Sequence, residues 1–111
     1  MTHLIRTKAT PQQITEMLEA NIIVIKTAVD VRRGILAGGG GSHSDCEEVL
    51  LNDGSQQEDI WGASWDPDLS RVILESFINI RPRQNNRRML IEDPILGKKV
   101  TEIIKQLLEE V

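Results

Sequence analysis

Apolar residues recur along the chain at two spacings, and the stretches between them carry turn chemistry. From 22 to 31 the odd positions Ile23, Ile25, Thr27, Val29 and Val31 alternate with Lys26 and Asp30. A period of two with strong β-branching predicts a strand. Arg32-Arg33-Gly34 turns it into Ile35-Leu36-Ala37, a predicted hairpin. From 60 to 65 the alternation puts Trp61, Ala63 and Trp65 on one face, and Asp66-Pro67-Asp68 follows as a turn. The longest alternation runs from 71 to 81. There Val72, Leu74, Ile78 and Ile80 face one way and Glu75, Asn79 and Arg81 the other. Pro82 ends that strand or places it at a sheet edge. Shorter strands are predicted at 3–7 and 89–91.

Helical spacing appears in three places. Thr10-Pro11-Gln12-Gln13 has the form of a helix start, and Ile14, Met17 and Leu18 share a face, which predicts a helix over 11–20. Ser44-Asp45-Cys46-Glu47 has the form of a capping box before Cys46, Val49 and Leu50. This predicts a helix over 44–52, with a hairpin turning at Asp53-Gly54 as the competing reading. Asp93-Pro94 opens the last helix, in which Leu96, Val100, Ile103, Ile104, Leu107, Leu108 and Val111 form one stripe. The expectation is an α+β fold in the order α-β-β-α-β-β-α. An antiparallel sheet of four to five strands carries helices on one face, in a single domain over 1–111.

Composition narrows the function more than the fold. At 111 residues, with 40% hydrophobic and 27% charged residues, the chain has the make-up of one ordinary globular domain. No stretch approaches the ~20 apolar residues of a membrane span, and residues 1–6 lack the apolar core of a signal peptide, so a cytoplasmic protein without membrane contact is expected. The single cysteine, Cys46, excludes an intramolecular disulfide and a multi-cysteine zinc ribbon. Aromatics are limited to Trp61, Trp65 and Phe77, and the net charge is −4, so nucleic acid is not an expected partner.

The charges are unevenly placed. From 45 to 59 there are six acids (Asp45, Glu47, Glu48, Asp53, Glu58, Asp59) and no base, whereas from 81 to 88 there are Arg81, Arg83, Arg87 and Arg88 and no acid. Guanidinium forks beside amide side chains suit phosphate or carboxylate groups. Asn79, Arg81, Arg83, Asn86 and Arg87 are therefore the candidate ligand-binding residues. Solvated charge, or salt bridges to 45–59, is the competing reading. His43, Asp45 and Glu47 are the candidate catalytic residues, within one helical turn of each other. With His3 the only other histidine, no closed Cys/His metal site is available, and neither a metal nor a cofactor is expected. Cys46 is a nucleophile beside His43 or a buried member of the apolar stripe with Val49 and Leu50. The glycines at 38–41 suit either an anion cradle or a close approach of backbone.

Several strings resemble one family. Ile35-Leu36-Ala37-Gly38-Gly39-Gly40, His43, Asp45-Cys46-Glu47, Leu50-Leu51, Asp53-Gly54-Ser55, Gln57-Glu58-Asp59, Trp61-Gly62-Ala63 and Ile78-Asn79-Ile80-Arg81-Pro82-Arg83-Gln84-Asn85-Asn86-Arg87 are similar to a family of small bacterial proteins, frequent in cyanobacteria, catalogued as a domain of unknown function. The resemblance covers nearly the whole chain and implies no activity. The residues themselves favour a binding or interaction module that takes a small anionic ligand and forms a homo-oligomer. The alternative is a small hydrolase acting on a phosphorylated or acidic substrate, with His43, Asp45 and Glu47 facing the arginines across one cleft.

Overall fold

In the computed structural model, which describes residues 1–110, the alternating segments form one antiparallel sheet. Its strands are β1 (His3–Ile5), β2 (Ile25–Asp30), β3 (Ile35–Gly38), β4 (Ile60–Asp66) and β5 (Arg71–Ile73), in the spatial order β1-β3-β2-β4-β5. The helices are α1 (Pro11–Met17), α2 (His43–Asn52) and α3 (Pro94–Leu108). The fold is α+β, in the expected order preceded by β1. Ile25 stands opposite Trp65 and Asp30 opposite Ile60, so β2 and β4 pair along the whole of β2. Both hairpin turns are started by an aspartate. Asp30 Oδ1 accepts from the Arg32 and Arg33 amides at 2.9 Å, and Asp66 Oδ1 accepts from Asp68 and Leu69 at 3.0 and 3.1 Å. Among the described residues no helix is long and apolar enough to cross a membrane.

The two faces of the sheet are both covered, which corrects the expectation of helices on one face. Ile25, Val29, Leu36, Trp61, Ala63 and Trp65 pack with α1 (Ile14, Met17) and α3 (Val100, Ile103, Ile104, Leu107, Leu108). The alternate positions Ala28, Ile35, Ala37 and Ile60 pack with Cys46 and Leu50 of α2. The cause lies in β2 and β3, where consecutive residues from Ala28 to Asp30 and from Ile35 to Gly38 are all buried. Small side chains on the second face, Ala28 and Ala37, leave room for a helix there.

Local readings move in three places. Helix α2 is confirmed against the hairpin alternative, but its cap is Ser42, whose hydroxyl accepts from the Asp45 amide while Asp45 accepts from the Ser42 amide. Ser44 lies inside the helix. The glycines before it are packed against their own chain: a Cβ on Gly39, at φ +90°, would lie 2.4 Å from the Met1 carbonyl oxygen and 2.7 Å from Met17 Cα. Close approach of backbone, with no open cradle, is what this run supplies.

The predicted strand over 71–81 is regular only to Ile73. Its alternation misses a beat at Ser76, whose hydroxyl accepts from the Ile78 amide and starts a short 3-10 turn over Phe77–Asn79. As a result Val72 and Leu74 pack towards α3, Ile78 packs with the α2 cluster, and Ile80 is exposed. The strand predicted at 89–91 is reduced to one bridge, Leu90 with Glu75. The stripe of α3 is buried from Val100 to Leu108, with Leu96 half-buried. Val111, assigned to the same stripe, lies outside the described residues.

Candidate functional site

Strand β5 covers only Ser64–Asp66 of β4, so the rest of the β4 edge needs other partners. Asn79 and Arg81 supply them. The Gly62 amide donates to Asn79 Oδ1 at 2.8 Å, and Asn79 Nδ2 donates to the Gly62 carbonyl at 2.9 Å and to the Met89 carbonyl at 3.0 Å. The side-chain amide thus stands where the peptide of a neighbouring strand would. Two residues further along, Arg81 Nη2 donates to the Ile60 carbonyl. A side chain at position 62 would block this approach, because a Cβ there would lie 2.5 Å from Ser76 Cβ. The glycine of Trp61-Gly62-Ala63 is required by packing.

Arg81 is a structural residue at this edge. A guanidinium has five N–H donors, and five acceptors surround this one. Nε donates to the Ile78 carbonyl at 2.8 Å, and Nη1 to the Gln57 carbonyl at 2.7 Å and Gln84 Oε1 at 3.3 Å. Nη2 donates to the Ile60 carbonyl and to Glu47 Oε2 at 3.4 Å. The guanidinium carbon sits 4.7 Å from the centre of the Trp61 ring. Burial pulls the Arg81 pKa down and the Glu47 carboxylate opposes that.

Around this anchor the chain makes a closed excursion from Glu75 to Leu90. Ser76 donates its amide to the Met89 carbonyl, and Arg81 and Asn86 exchange amide-to-carbonyl bonds. Asn86 is buried and fills the loop: its Nδ2 donates to the carbonyls of Asn79, Arg88 and Leu90, and its Oδ1 accepts from the Glu92 amide. Glu92 also accepts from the Arg87 amide and from Arg88 Nε, which hold its pKa below the ordinary carboxylate value.

The candidate binding residues are therefore adjacent in space but unequal in role. The polar atoms of Asn79, Arg81 and Asn86 are engaged within the fold. Arg83 and Arg87 are exposed, and their guanidinium groups make no hydrogen bond or ion pair among the described residues. Arg83 borders an open hollow of about 360 Å³ together with Gln57, Arg81, Pro82 and Gln84. Gln57 and Gln84 were not singled out in the sequence. Gln84 had a local signal, three residues after Arg81 in the same turn, whereas Gln57 arrives from 24 residues away and had none.

The candidate catalytic residues are also placed. Glu47 reaches Arg81, so the 43–47 and 79–87 segments do adjoin. The side chain of Asp45 is spent on the helix cap. His43 directs Nε2 to the Ala63 carbonyl at 3.1 Å and to the Ser64 hydroxyl at 3.2 Å. A carbonyl only accepts, so Nε2 carries the proton. Burial is the main cause of a His43 pKa below 6.5, with the Ala63 bond opposing it and Lys26 adding to it. Cys46 is fully buried, and burial pushes its thiol up to about 11. Among the described residues no three His, Cys, Asp or Glu side chains converge as metal ligands do.

The acidic segment is largely paired from within. Asp53 takes Arg33 at 2.7 Å and Arg6 at 2.6 Å, which in that order hold its pKa down, and Asp59 takes Arg32 at 2.9 Å. Comparison with curated proteins finds no match, and comparison with solved structures finds none. A family profile does match, over residues 3–107. The match spans every strand and nearly all of α3, and the chain belongs to the family described as a protein of unknown function, DUF5674.

Proposed function

We propose that the chain is a single-domain, non-catalytic binding module whose contact surface is the 75–90 excursion. Arg83 and Arg87 take an anionic group of the ligand, while Asn79, Arg81 and Asn86 keep the loop in shape. The observation that supports this reading is the division of labour among the five residues. Three are hydrogen-bonded within the fold, and two guanidinium groups are left outside on a loop closed by hydrogen bonds. The hollow of about 360 Å³ that Arg83, though not Arg87, lines is at the small end of ligand sites and open to water, which suits one oxyanion better than an enclosed substrate. The hydrolase alternative has less support, because His43, Asp45 and Glu47 each have a structural partner already.

The test is thermal melting with inorganic phosphate and pyrophosphate. The wild-type midpoint should rise by mass action, and the gain should shrink with added salt. The Arg83→Ala, Arg87→Ala double variant should show no rise. A wild-type midpoint indifferent to both anions overturns the reading. Self-association, the module's other expected property, is supported by Ile22, Ile23 and Leu69. All three are exposed, beyond the Ile25–Trp65 end of the sheet and away from the arginines. Light scattering should show a species larger than one chain, and Ile23→Glu should reduce it.

A further inference from the structure

The excursion exposes more than charge. Phe77, the only phenylalanine of the chain, is 77% exposed, and Ile80 and Leu90 are exposed with it. Two pairings close the loop: Ser76 with Met89, and Arg81 with Asn86. Between them, residues 77–80 stand across from Arg87 and Arg88. Within that stretch Asn79 turns inward and Ile78 packs towards α2, leaving Phe77 and Ile80 outside beside the arginines. From 76 to 91 there are four arginines and no acid; Glu47 and Glu92, from outside that segment, pair with Arg81 and Arg88, and Arg83 and Arg87 have no such partner among the described residues. An exposed aromatic and arginines on a pre-ordered support are the residue types that dominate protein–protein contacts.

Resting on the anion-site reading above, we propose that this surface docks an acidic segment of a partner protein. Apolar side chains of that segment cover Phe77 and Ile80, and its carboxylates meet Arg83 and Arg87. Charge complementarity selects the occupant. A second copy docking by the same face would bring the arginines against themselves. A single-stranded RNA would find one exposed aromatic, since Trp61 and Trp65 are buried in the core. The hydrogen bonds that close the loop lower the ordering cost of binding.

The experiment uses fluorescence anisotropy of three labelled probes: a short peptide of alternating Glu and Leu, one of alternating Glu and Gly with the same charge, and a short uridine-rich RNA. The Glu/Leu peptide should bind best. Phe77→Ser should weaken it by about tenfold or more, the loss for a central contact, at an unchanged melting midpoint because Phe77 is exposed. Arg83→Ala with Arg87→Ala should weaken it and reduce its salt dependence. Equal binding of the two peptides, with no effect of Phe77→Ser, overturns the partner inference and leaves the anion site standing. Tighter binding of the RNA overturns the choice of partner. A Glu/Leu peptide that does not bind, with pyrophosphate still raising the midpoint, overturns the partner inference alone. If neither acts, the anion site falls too.

Discussion

Asn79 and Gly62 exchange two hydrogen bonds, amide to Oδ1 at 2.8 Å and Nδ2 to carbonyl at 2.9 Å. Through this exchange a side chain takes over the ladder of β4 where β5 stops. Arg81 repeats the device at Ile60. The loop that carries the exposed arginines is thereby tied to a central element of the sheet, although it contains little regular structure of its own.

Asn79→Ala should therefore be costly. It removes the partners of the Gly62 N–H and C=O and one partner of the Met89 carbonyl, and unpaired buried groups of this kind cost about 1–3 kcal/mol each before water relieves them. A loss of about 2–4 kcal/mol is expected in urea denaturation followed by tryptophan fluorescence. A loss below about 0.5 kcal/mol, the level of an ordinary surface site, would mean that the exchange contributes nothing.

Gly62→Ala tests the same junction by volume. Its Cβ would meet Ser76 Cβ at 2.5 Å and Ile78 Cγ1 at 2.8 Å, and overpacking of this kind costs about 1–3 kcal/mol. Adding Ser76→Gly should recover part of the loss. Strictly additive losses in the double-mutant cycle would show that the two sites do not press on one another.

Below neutrality the imidazole of His43 should weaken the fold. Its pKa is lowered from 6.5 by burial, so the unfolded chain binds the proton more readily than the folded one. Stability then declines as pH falls through 6.5 and levels off below the lowered folded value. Asp53 and Glu92, lowered by their arginine neighbours, contribute stability that is lost at more acid pH, as each is protonated in the folded state. Urea midpoints from about pH 8 to about pH 5, where imidazoles titrate, should fall in wild type and fall less in His43→Gln.

Cys46 should behave as packing. With a pKa moved from 9.0 to about 11 by burial, its thiolate fraction at neutral pH is about a hundredfold below that of a free thiol. Thiol reagents should label the folded protein slowly and the urea-unfolded protein at once. Rapid labelling of the native state would revive the nucleophile.

Two isoleucines of α3 offer a contrast. Ile104 is fully buried and Ile95 is 82% exposed. Ile104→Ala should cost about 2–5 kcal/mol, and Ile95→Ala should stay within about 0.5 kcal/mol.

Wherever local periodicity was uninterrupted, the sequence was sufficient. The alternation around Val29 and Trp61, the Thr10/Gln13 cap and the stripe through Ile104 all depend on neighbours within a few residues, so hydrophobic spacing and turn chemistry determine them. The arginine and asparagine cluster was legible for the same reason, as a composition along one short segment. Only the tertiary structure decided which of its members face inward. Asn79 and Asn86 look alike in sequence to Asn85, which is exposed, and Arg81 looks like Arg83. For Asn79 and Arg81 the difference is the unpaired edge of β4 and the Glu47 carboxylate, which come from 17 and 34 residues away, whereas Asn86 is held by backbone groups of its own closed loop and of Glu92. Buried backbone groups must be paired by whatever side chain the fold brings within reach, and that reach is a property of the packed sheet, absent from any local pattern.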